Sequence, residues 1–341
     1  MQTELLYTTA GGITLYRLSN ADGMRVEVMD YGARLFGVWV PTPEGAVNVL
    51  AGFDDPDGFR GDNPYFNALI GRVANRIDHG TFLLDGKRYD LCCNDGAHHL
   101  HGGAVGFDRR MWTVLSAADG AITLRYVSPD GEEGYPGTLT VTVTYRLDEQ
   151  GGLSLDYEAT TDRATPVNLT NHAYFNLDGD FRSVRDHRVR IAGDRVLTAD
   201  AELIPHGQLL PVADTEYDFR TLRTVGALLP PVVDPVPGQG GYDIGYVLCP
   251  HSPDEAVATA VAEHSGIRMD VYTDRPVLQF YTGNFLDGSV VGRHAYGYQS
   301  AFCMETQDYS NAPTVPAFPS VTLRAGETYR AHTLYRFCVE K

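Results

Sequence analysis

A regular row of hydrogen-bonding side chains runs through residues 165–177, TPVNLTNHAYFNL. Histidine is the side chain whose ordinary pKa, about 6.5, lets it give or take a proton near neutral pH. At the two-residue period of a β-strand, His172 lies at the centre of a polar face, opposite an apolar face on which Asn171 is the one polar exception. The predicted polar face consists of Asn168, Thr170, His172, Tyr174 and Asn176. The segment therefore predicts proton transfer by His172, and the alternative is a histidine satisfied inside a packed core.

A second group suited to proton transfer is Glu305, in the run AFCMETQ at residues 301–307. Alternation places it on one strand face with Cys303 and Gln307, while the apolar neighbours Phe302 and Met304 share the opposite face with Thr306. We expect a half-buried carboxyl group, because its neighbours are largely apolar. Burial raises the pKa of a carboxyl group towards the range useful for a base at neutral pH. The alternative function for Glu305 is a structural ion pair.

Two arginines lie in the apolar run ALIGRVANRI, residues 68–77. A buried guanidinium group needs acceptors, because leaving it unpaired is costly. For Arg72 we weigh an internal ion pair against a role in binding. Arg76 follows Asn75, and together they present a dense set of donors to a ligand rich in hydroxyl groups. We therefore expect Asn75 and Arg76 to contact a ligand.

Three histidines occur within four residues, at His98, His99 and His101. A metal ion could bind there, with Asp95 or Asp108 completing the ligand set, but the spacing matches no standard zinc pattern. On a strand His98 and His99 would point apart, so we expect both to be outer-shell or exposed. The two glycines after His101 favour a tight turn at which backbone and ligand approach closely. His101 is therefore the second histidine predicted to lie in the site.

The composition limits the classes of partner. The 341 residues carry a formal charge of -17, from 27 Lys and Arg against 44 Asp and Glu, which leaves no basic stripe for nucleic acid or an anionic membrane. We expect no signal peptide and no membrane helix, because no apolar run approaches about 20 residues. The five cysteines, without a CxxC spacing, predict reduced thiols and a cytoplasmic location. A neutral, polyhydroxylated small molecule is compatible with these features.

Strand and hairpin signals recur along the chain. Alternation predicts strands at residues 13–18, 24–30 and 139–145. Residues 81–91 predict a hairpin closed by Asp85-Gly86, a preferred two-residue turn. Many short antiparallel strands indicate an all-β fold, either a sandwich or a barrel.

The remaining segments predict loops and very little helix. Residues 54–67, rich in Asp, Gly and Pro, predict a long surface loop, and only short pieces such as residues 221–229, stopped by Pro230-Pro231, could be helical. Asp243 follows a Pro- and Gly-rich loop at residues 235–241, and the strand PVLQFYTGNF contributes Gln279. Because no linker composition divides the chain, we expect a single domain spanning residues 1–341.

Taken together, these segments resemble the aldose 1-epimerase, or galactose mutarotase, family from Gly32 almost to the C-terminus. Several long motifs occur in the family's order, which makes the resemblance specific. The motifs are GRVANRI at Gly71, LHGG with GFD at residues 100–108, SPDGEEGYPG at Ser128, TPVNLTNHAYFNL at Thr165, LQFYTGNFLDG at Leu278 and ETQ at Glu305.

The resemblance implies a large antiparallel β-sandwich with very little helix. It implies an isomerase that interconverts the α and β anomers of free aldoses, D-galactose, D-glucose or a related sugar, in carbohydrate metabolism. His172 is implied to be the general acid and Glu305 the general base, without cofactor or metal, in a monomer or homodimer. His101 is implied to bind and polarise the sugar. Implied substrate contacts are Asn75, Arg76, Tyr174, Asp243 and Gln279.

Three other functions compete with this one. A non-catalytic sugar-binding or sensor protein needs no proton-transferring pair, and a glycosidase normally uses two carboxyl groups. A hexose-6-phosphate 1-epimerase should carry an extra basic cluster, which we do not find in the sequence. The residues after Asp243, Ile244-Gly245-Tyr246, replace a His and Asn common in the family, and LTAD at residues 197–200 lacks a usual Val-Asp pairing. We expect these departures to affect substrate preference rather than chemistry.

Overall fold

The computed structural model describes residues 1–229 and 238–340, and strands dominate this part of the chain. The strands are β1 (Gln2–Thr8), β2 (Thr14–Ser19), β3 (Arg25–Met29), β4 (Arg34–Thr42), β5 (Gly45–Asn48), β6 (Leu69–Ile70), β7 (Arg76–Ile77), β8 (Thr81–Leu84), β9 (Lys87–Asp90), β10 (His99–Leu100), β11 (Thr113–Ala118), β12 (Ala121–Ser128), β13 (Leu139–Leu147), β14 (Gly152–Thr161), β15 (Thr165–Pro166), β16 (Thr170–Asn171), β17 (Arg188–Ile191), β18 (Gly193–Ala199), β19 (Pro205–Pro211), β20 (Arg223–Thr224), β21 (Asp243–Leu248), β22 (Ala258–Val261), β23 (Ile267–Thr273), β24 (Val277–Tyr281), β25 (Cys303–Gln307), β26 (Thr322–Leu323) and β27 (Tyr329–Val339). The helices described are single 3₁₀ turns at Pro56–Arg60, Asp78–Gly80, Phe107–Arg109, Glu132–Gly134 and Val225–Leu228. None of these helices is long and apolar enough to cross a membrane.

Three antiparallel sheets form the body of the fold. One has five strands in the order β1-β2-β3-β4-β5, and a second has nine, in the order β11-β12-β13-β14-β27-β23-β22-β17-β20. The third has five, in the order β19-β18-β21-β24-β25. The largest apolar cluster takes side chains from all three sheets, including Val28, Val143 and Phe280. The predicted all-β sandwich is confirmed.

The hairpin predictions follow from turn chemistry and are confirmed. β8 and β9 flank Asp85-Gly86, whose φ angles of 51° and 78° suit a two-residue hairpin turn. In β13 buried Leu139, Val141 and Val143 alternate with threonines that are only partly buried. One face of the nine-stranded sheet thus joins the apolar core, as its two-residue period requires.

The expected continuous strand at residues 165–177 is wrong. Only β15 and β16 are regular there, and they pair with two different partners, β26 and β6. Farther along, Phe175 bridges both Leu50 and Phe302. The whole segment is buried and serves several neighbouring elements in turn, so no single partner strand extends along it. The polar and apolar pattern of this segment therefore did not predict its backbone conformation, because several neighbouring elements compete to pair with its backbone.

Two further predictions need correction. Residues 54–67 do not form a simple surface loop, because they contain a 3₁₀ turn and bury Phe59, Phe66 and Asn67. Residues 221–229, which the sequence allowed to be helical, contain one 3₁₀ turn at Val225–Leu228, and the strand β20 precedes it. Pro230-Pro231, together with residues 235–237 of the Pro- and Gly-rich loop, lies outside the described residues.

Candidate active site

A cavity of about 190 Å³ opens beside the third sheet. All eight site residues predicted from the sequence line it, although they come from positions as distant as 75 and 305. The lining residues are Pro64, Tyr65, Asn75, Arg76, Asp95, Leu100, His101, His172, Tyr174, Asp243, Gln279, Tyr281, Phe285 and Glu305.

Cross-strand pairing places four of these lining residues side by side, in two pairs. In the ladder between β24 and β25, Gln279 lies directly opposite Glu305. In the ladder between β21 and β24, Asp243 lies opposite Tyr281. Strand alternation sends intervening side chains such as Phe280 into the core, so the polar ones face the cavity. The predicted face of Glu305 on β25 is confirmed.

His172 is held by its backbone and by a stacked ring. Its N–H donates to the carbonyl of Ala68 and its carbonyl accepts from the N–H of Asn67, each at 2.9 Å. Its imidazole stacks on the Tyr174 ring, with centroids 4.9 Å apart and planes 10° from parallel. Only 5 % of the residue is exposed. These contacts leave the ring little freedom to rotate, and its Nε2 lies 3.7 Å from Oε1 of Glu305.

Glu305 is buried without a full set of partners. It is 2 % exposed, and its Oε2 has no hydrogen-bond partner among the described residues. Burial raises the pKa of this carboxyl group well above its ordinary value, and the nearby carboxylate of Asp243 acts in the same direction. Burial also lowers the pKa of His172 to about 3. The protein alone therefore favours a neutral imidazole beside a protonated carboxyl group, because the low-dielectric cavity penalises charge on either one.

His101 presents a hydrogen-bond donor to the cavity. Its Nδ1 accepts the backbone N–H of Asn75 at 3.2 Å, and burial lowers its pKa well below the usual value. The neutral ring therefore carries its proton on Nε2. A Cβ on Gly102, where φ is 91°, would lie 1.8 Å from the carbonyl oxygen of Gly71. The tight turn predicted after His101 is thus confirmed, and it requires glycine.

Two polar pairs complete the wall. Arg76 Nε donates to Asp95 Oδ2 at 2.7 Å, and Gln279 Nε2 donates to Asp243 Oδ1 at 2.7 Å. Burial raises the pKa of Asp243, while the Arg76 charge opposes that shift. The wall therefore offers donors and acceptors at close spacing, an arrangement suited to several hydroxyl groups on one small ring.

Exposure, one of the two alternatives expected for His98 and His99, is wrong, because both side chains are buried. The His99 ring bonds the carbonyl of Cys92 and the hydroxyl of Tyr135, each at 2.7 Å, and so contributes to packing. The three histidines do not converge on one ligand site, since only His101 reaches the cavity. His98 and His99 point apart, as predicted, but the tertiary packing buries both of them.

In the part of the chain that the structure describes, two groups of side chains are close enough together to suit a metal ion. In the first, with Asp78 and His79, Nδ1 of His98 already accepts the backbone N–H of His79 at 3.1 Å. In the second, His172, Cys303 and Glu305, burial raises the pKa of the thiol well above its ordinary value. A metal binds the thiolate form, so this environment disfavours coordination.

Arg72 lies outside the cavity and is satisfied by neutral acceptors. Its guanidinium donates to the Ser128 and Thr165 hydroxyl groups and to three backbone carbonyls, those of Ser128, Pro129 and Pro136. No carboxylate in the described part of the chain lies within ion-pair distance. The internal ion pair weighed for Arg72 is therefore replaced by a hydrogen-bonded anchor. It joins the loop after β12 to the segment that leads to Asn75.

The sequence profile of the aldose 1-epimerase family matches residues 14–336. The chain belongs to the aldose 1-epimerase family. It is 42 % identical over 334 residues to the galactose mutarotase of Bos taurus, covering 97 % of this chain and 95 % of that protein. It is 37 % identical over 331 residues to the aldose 1-epimerase of Escherichia coli K12, covering 96 % and 95 %.

Solved structures show the same fold. The aldose epimerase homologue of C. elegans superposes with a TM-score of 0.87 at 30 % identity, covering 95 % of this chain and 98 % of that one. The galactose 1-epimerase of Lactobacillus acidophilus gives a TM-score of 0.85 at 25 % identity, covering 99 % and 98 %. The predicted family and its sandwich fold are therefore confirmed.

Sequence reasoning missed several lining residues of this family member. Tyr65 comes from the segment expected to be a surface loop, yet its ring packs 4.7 Å from that of His101. Tyr281 shares its strand face with Gln279, and that alternation was a sufficient signal to include it. Phe285 lies at the rim with 46 % of its surface exposed, and its loop position carried no such signal. Asp95 was considered only as a metal ligand.

Proposed function

We propose that this protein interconverts the α and β anomers of D-galactose, D-glucose or a related free aldose, with Glu305 as general base and His172 as general acid. One observation carries the proposal. A carboxyl group and an imidazole, each nearly inaccessible to solvent, lie 3.7 Å apart in one monosaccharide-sized cavity. The activity class, an isomerase acting on aldoses, agrees with the family to which the chain belongs.

The reaction needs two proton transfers. Glu305 removes the proton from the C1 hydroxyl while His172 delivers one to the ring oxygen. The bond between C1 and the ring oxygen breaks, and an aldehyde forms. Rotation about the C1–C2 bond presents the other carbonyl face, and the reversed transfers close the ring as the opposite anomer. No electrons leave the sugar and no group departs, so the chemistry itself calls for neither a redox cofactor nor a covalent nucleophile.

Substrate binding prepares the pair for this exchange. A hydroxyl group that donates to the carboxylate stabilises its charged form and lowers its pKa. A sugar with its C1 hydroxyl on Glu305 therefore moves the shared proton from the carboxyl group to the imidazole. The unpartnered Oε2 of Glu305 is an acceptor suited to that hydroxyl group. A positioned acid or base typically contributes a factor of about 100 to 10,000 to the rate.

The other wall residues orient the ring. His101 donates from Nε2 to a sugar oxygen, and Asn75 and Arg76 contribute further donors. Asp243 and Gln279 form a paired acceptor and donor for hydroxyl groups, and Tyr174 packs beneath His172. Such orientation supplies part of the rate enhancement, because the entropy of aligning the sugar with the reacting groups is lost on binding and not in the transition state.

The proposal extends to the organisation of the protein. We propose a single domain over residues 1–341, active as a monomer or homodimer in the cytoplasm and without a nucleic-acid or membrane partner. A shared apolar cluster across all three sheets supports one folding unit. The net charge of -17 supports the absence of a nucleic-acid or anionic-membrane partner, and the free state of all five cysteines supports the cytoplasmic location.

Polarimetry tests the function directly. Freshly dissolved α-D-glucose and α-D-galactose should reach their equilibrium rotation faster with the protein than with a heat-inactivated sample. A panel of aldoses then ranks the substrates. Hexose 6-phosphates should be poor substrates, because Arg76 is the one cationic side chain on the described wall and it is paired with Asp95. Binding of an aldose without faster mutarotation of any panel member would refute the proposal and indicate a sugar-binding protein.

A further inference from the structure

An aromatic ring stands partly exposed at the rim of the polar cavity. Phe285 lines the cavity, yet 46 % of its surface remains accessible to solvent. A single exposed apolar side chain is ordinary on a protein surface, but this one belongs to the wall of a monosaccharide-sized site. A phenylalanine ring supplies a large, stiff apolar surface for a ligand. The mechanism described above gives this ring no role.

The ring is held in place by its neighbours. The N–H of Phe285 donates to the Tyr281 hydroxyl at 2.9 Å, and the two ring centroids lie 6.3 Å apart. The preceding residue, Asn284, is 1 % exposed and donates from Nδ2 to the Tyr242 carbonyl at 2.9 Å. A Cβ on Gly238, where φ is 83°, would lie 2.6 Å from Cε1 of Phe285, so the backbone passes directly against the ring. The ring is therefore half covered by protein, and its other half is free to contact a ligand.

The depth of the cavity determines which part of a sugar meets this ring. Glu305 and His172 are 2 % and 5 % exposed, so they lie at the closed end, whereas Phe285 lies at the open end. The proposed mechanism places C1 and the ring oxygen against Glu305 and His172. The opposite edge of the pyranose, at C3 and C4, then points towards the rim. Phe285 thus meets the sugar at C4, the carbon at which D-galactose and D-glucose differ.

Sugar stereochemistry determines how much apolar surface is presented there. In D-galactose the axial C4 hydroxyl projects from one face, and the C–H groups of C3, C4 and C5 form a continuous patch on the other. In D-glucose the C4 hydroxyl is equatorial, and the hydrogens of C3, C4 and C5 alternate between the two faces. The face of an aromatic ring is partially negative and attracts such C–H groups. A ring beside C4 therefore makes the larger apolar contact with D-galactose.

We propose that Phe285 is a substrate-binding residue that packs on the C3–C5 patch and favours aldoses with an axial C4 hydroxyl, so that D-galactose binds better than D-glucose. This inference rests on the proposed function for the orientation of the sugar, because that function places C1 at Glu305. It makes Phe285 a determinant of specificity and leaves proton transfer to Glu305 and His172.

Calorimetry tests the contact without relying on turnover. D-galactose and D-glucose, each at anomeric equilibrium, are titrated into the wild type and into Phe285→Ala. Covering the exposed half of a phenylalanine is worth about tenfold in affinity, so we expect Kd to rise about tenfold for D-galactose and about threefold for D-glucose. The variant should fold, because the ring is half exposed and the backbone contacts are retained. Equal rises for the two sugars, or no rise, would overturn the inference.

Two further substitutions separate the aromatic face from mere bulk. Phe285→Tyr keeps the ring and should keep the preference for D-galactose. Phe285→Leu keeps an apolar side chain without a ring, and its preference should fall towards that of Phe285→Ala. Leu83→Ala, at a position of β8 that is 71 % exposed and outside the cavity, is the matched control and should bind both sugars as the wild type does. A leucine variant with the full preference would overturn the role of the aromatic face.

Kinetics separates this inference from the function on which it rests. In Phe285→Ala we expect KM for D-galactose to rise with kcat within about twofold, and a loss confined to kcat would contradict a binding role. An active wild type whose Phe285→Ala variant keeps the wild-type ratio of the two affinities overturns the inference alone. A wild type that binds D-galactose but accelerates mutarotation of no aldose refutes the function, while a galactose-selective loss in Phe285→Ala would still support the contact. A wild type that binds neither sugar removes both.

Discussion

The substitution Glu305→Gln isolates proton transfer from shape. Glutamine keeps the size and one carbonyl-type oxygen of the side chain but cannot accept the C1 proton. Because the carboxyl group is 2 % exposed and its Oε2 is unpartnered, a neutral amide imposes no additional charge-burial cost, and we expect the variant to fold. A general base contributes a factor of about 100 to 10,000, or about 3 to 5 kcal/mol of barrier. We therefore expect kcat to fall at least about 100-fold with KM little changed.

Polarimetry with freshly dissolved α-D-galactose or α-D-glucose, whichever the wild type converts faster, measures this loss. Glu4→Gln, on exposed strand β1, makes the same chemical change away from the cavity and should leave kcat unaltered. Circular dichroism of both variants checks the fold. A Glu305→Gln variant that retained more than about a tenth of the wild-type kcat would refute the assignment of Glu305 as the base.

The pH dependence provides an internal check on the same residue. The competent form carries one proton shared between Glu305 and His172, and burial raises the pKa of Glu305 well above 4.5, so the free protein loses that proton as the pH rises through the raised value. We expect kcat/KM to decline towards alkali with a midpoint above the ordinary range for Glu, since kcat/KM reports the free enzyme. This alkaline limb should disappear from the residual activity of Glu305→Gln. Persistence of the same limb would assign it to another group.

Three further changes test the cavity wall, the scaffold and the nine-stranded sheet. Arg76→Lys keeps the charge but loses the planar donor array, so we expect KM to rise about tenfold with kcat within about threefold; an unchanged KM would remove Arg76 from the binding site. Arg72→Met leaves buried carbonyls without donors and should lower the free energy of unfolding in urea by about 3 to 5 kcal/mol, while kcat of the folded protein persists. The hydrogen bond to Asp156 raises the pKa of His332, so the stability it adds is fully present below about pH 6.5 and is lost as the pH rises through the raised value. Asp156→Asn should therefore lower Tm by at most about 2 °C at pH 5.5 and by nothing at pH 9, and equal shifts at both pH values would contradict that linkage.

Strand periodicity predicted the site more reliably than it predicted the backbone. In β25 it correctly placed Glu305 on the face opposite Met304, because this strand pairs in regular register with β24 along its whole length. In residues 165–177 the same pattern failed to predict the path, since consecutive residues bond to different elements. His172 and Tyr174 nevertheless reached the cavity, and the segment's asparagines tie it to neighbouring backbone, as Asn176 does to the Ser300 carbonyl.

Loops were the least predictable part of the wall. Nothing in the composition of residues 54–67 indicated that Tyr65 would pack against His101, since that contact joins positions far apart in the chain. The burial of His98 and His99 was also hidden, because their exposure depends on which segments cover a two-residue strand. Contacts of this kind are set by the packing of whole elements rather than by local pattern.

The sequence by itself determined the chemical groups available to this protein, the all-β class and the family, because these depend on residue types and on local period. Only the tertiary structure brought His172 within 3.7 Å of Glu305 and within 3.4 Å of Cys303. It also decided where the shared proton resides, since a pKa depends on burial and on neighbouring charges that sequence distance does not reveal. The amino acids supply a carboxyl group and an imidazole, and the fold places the two side by side in one cavity.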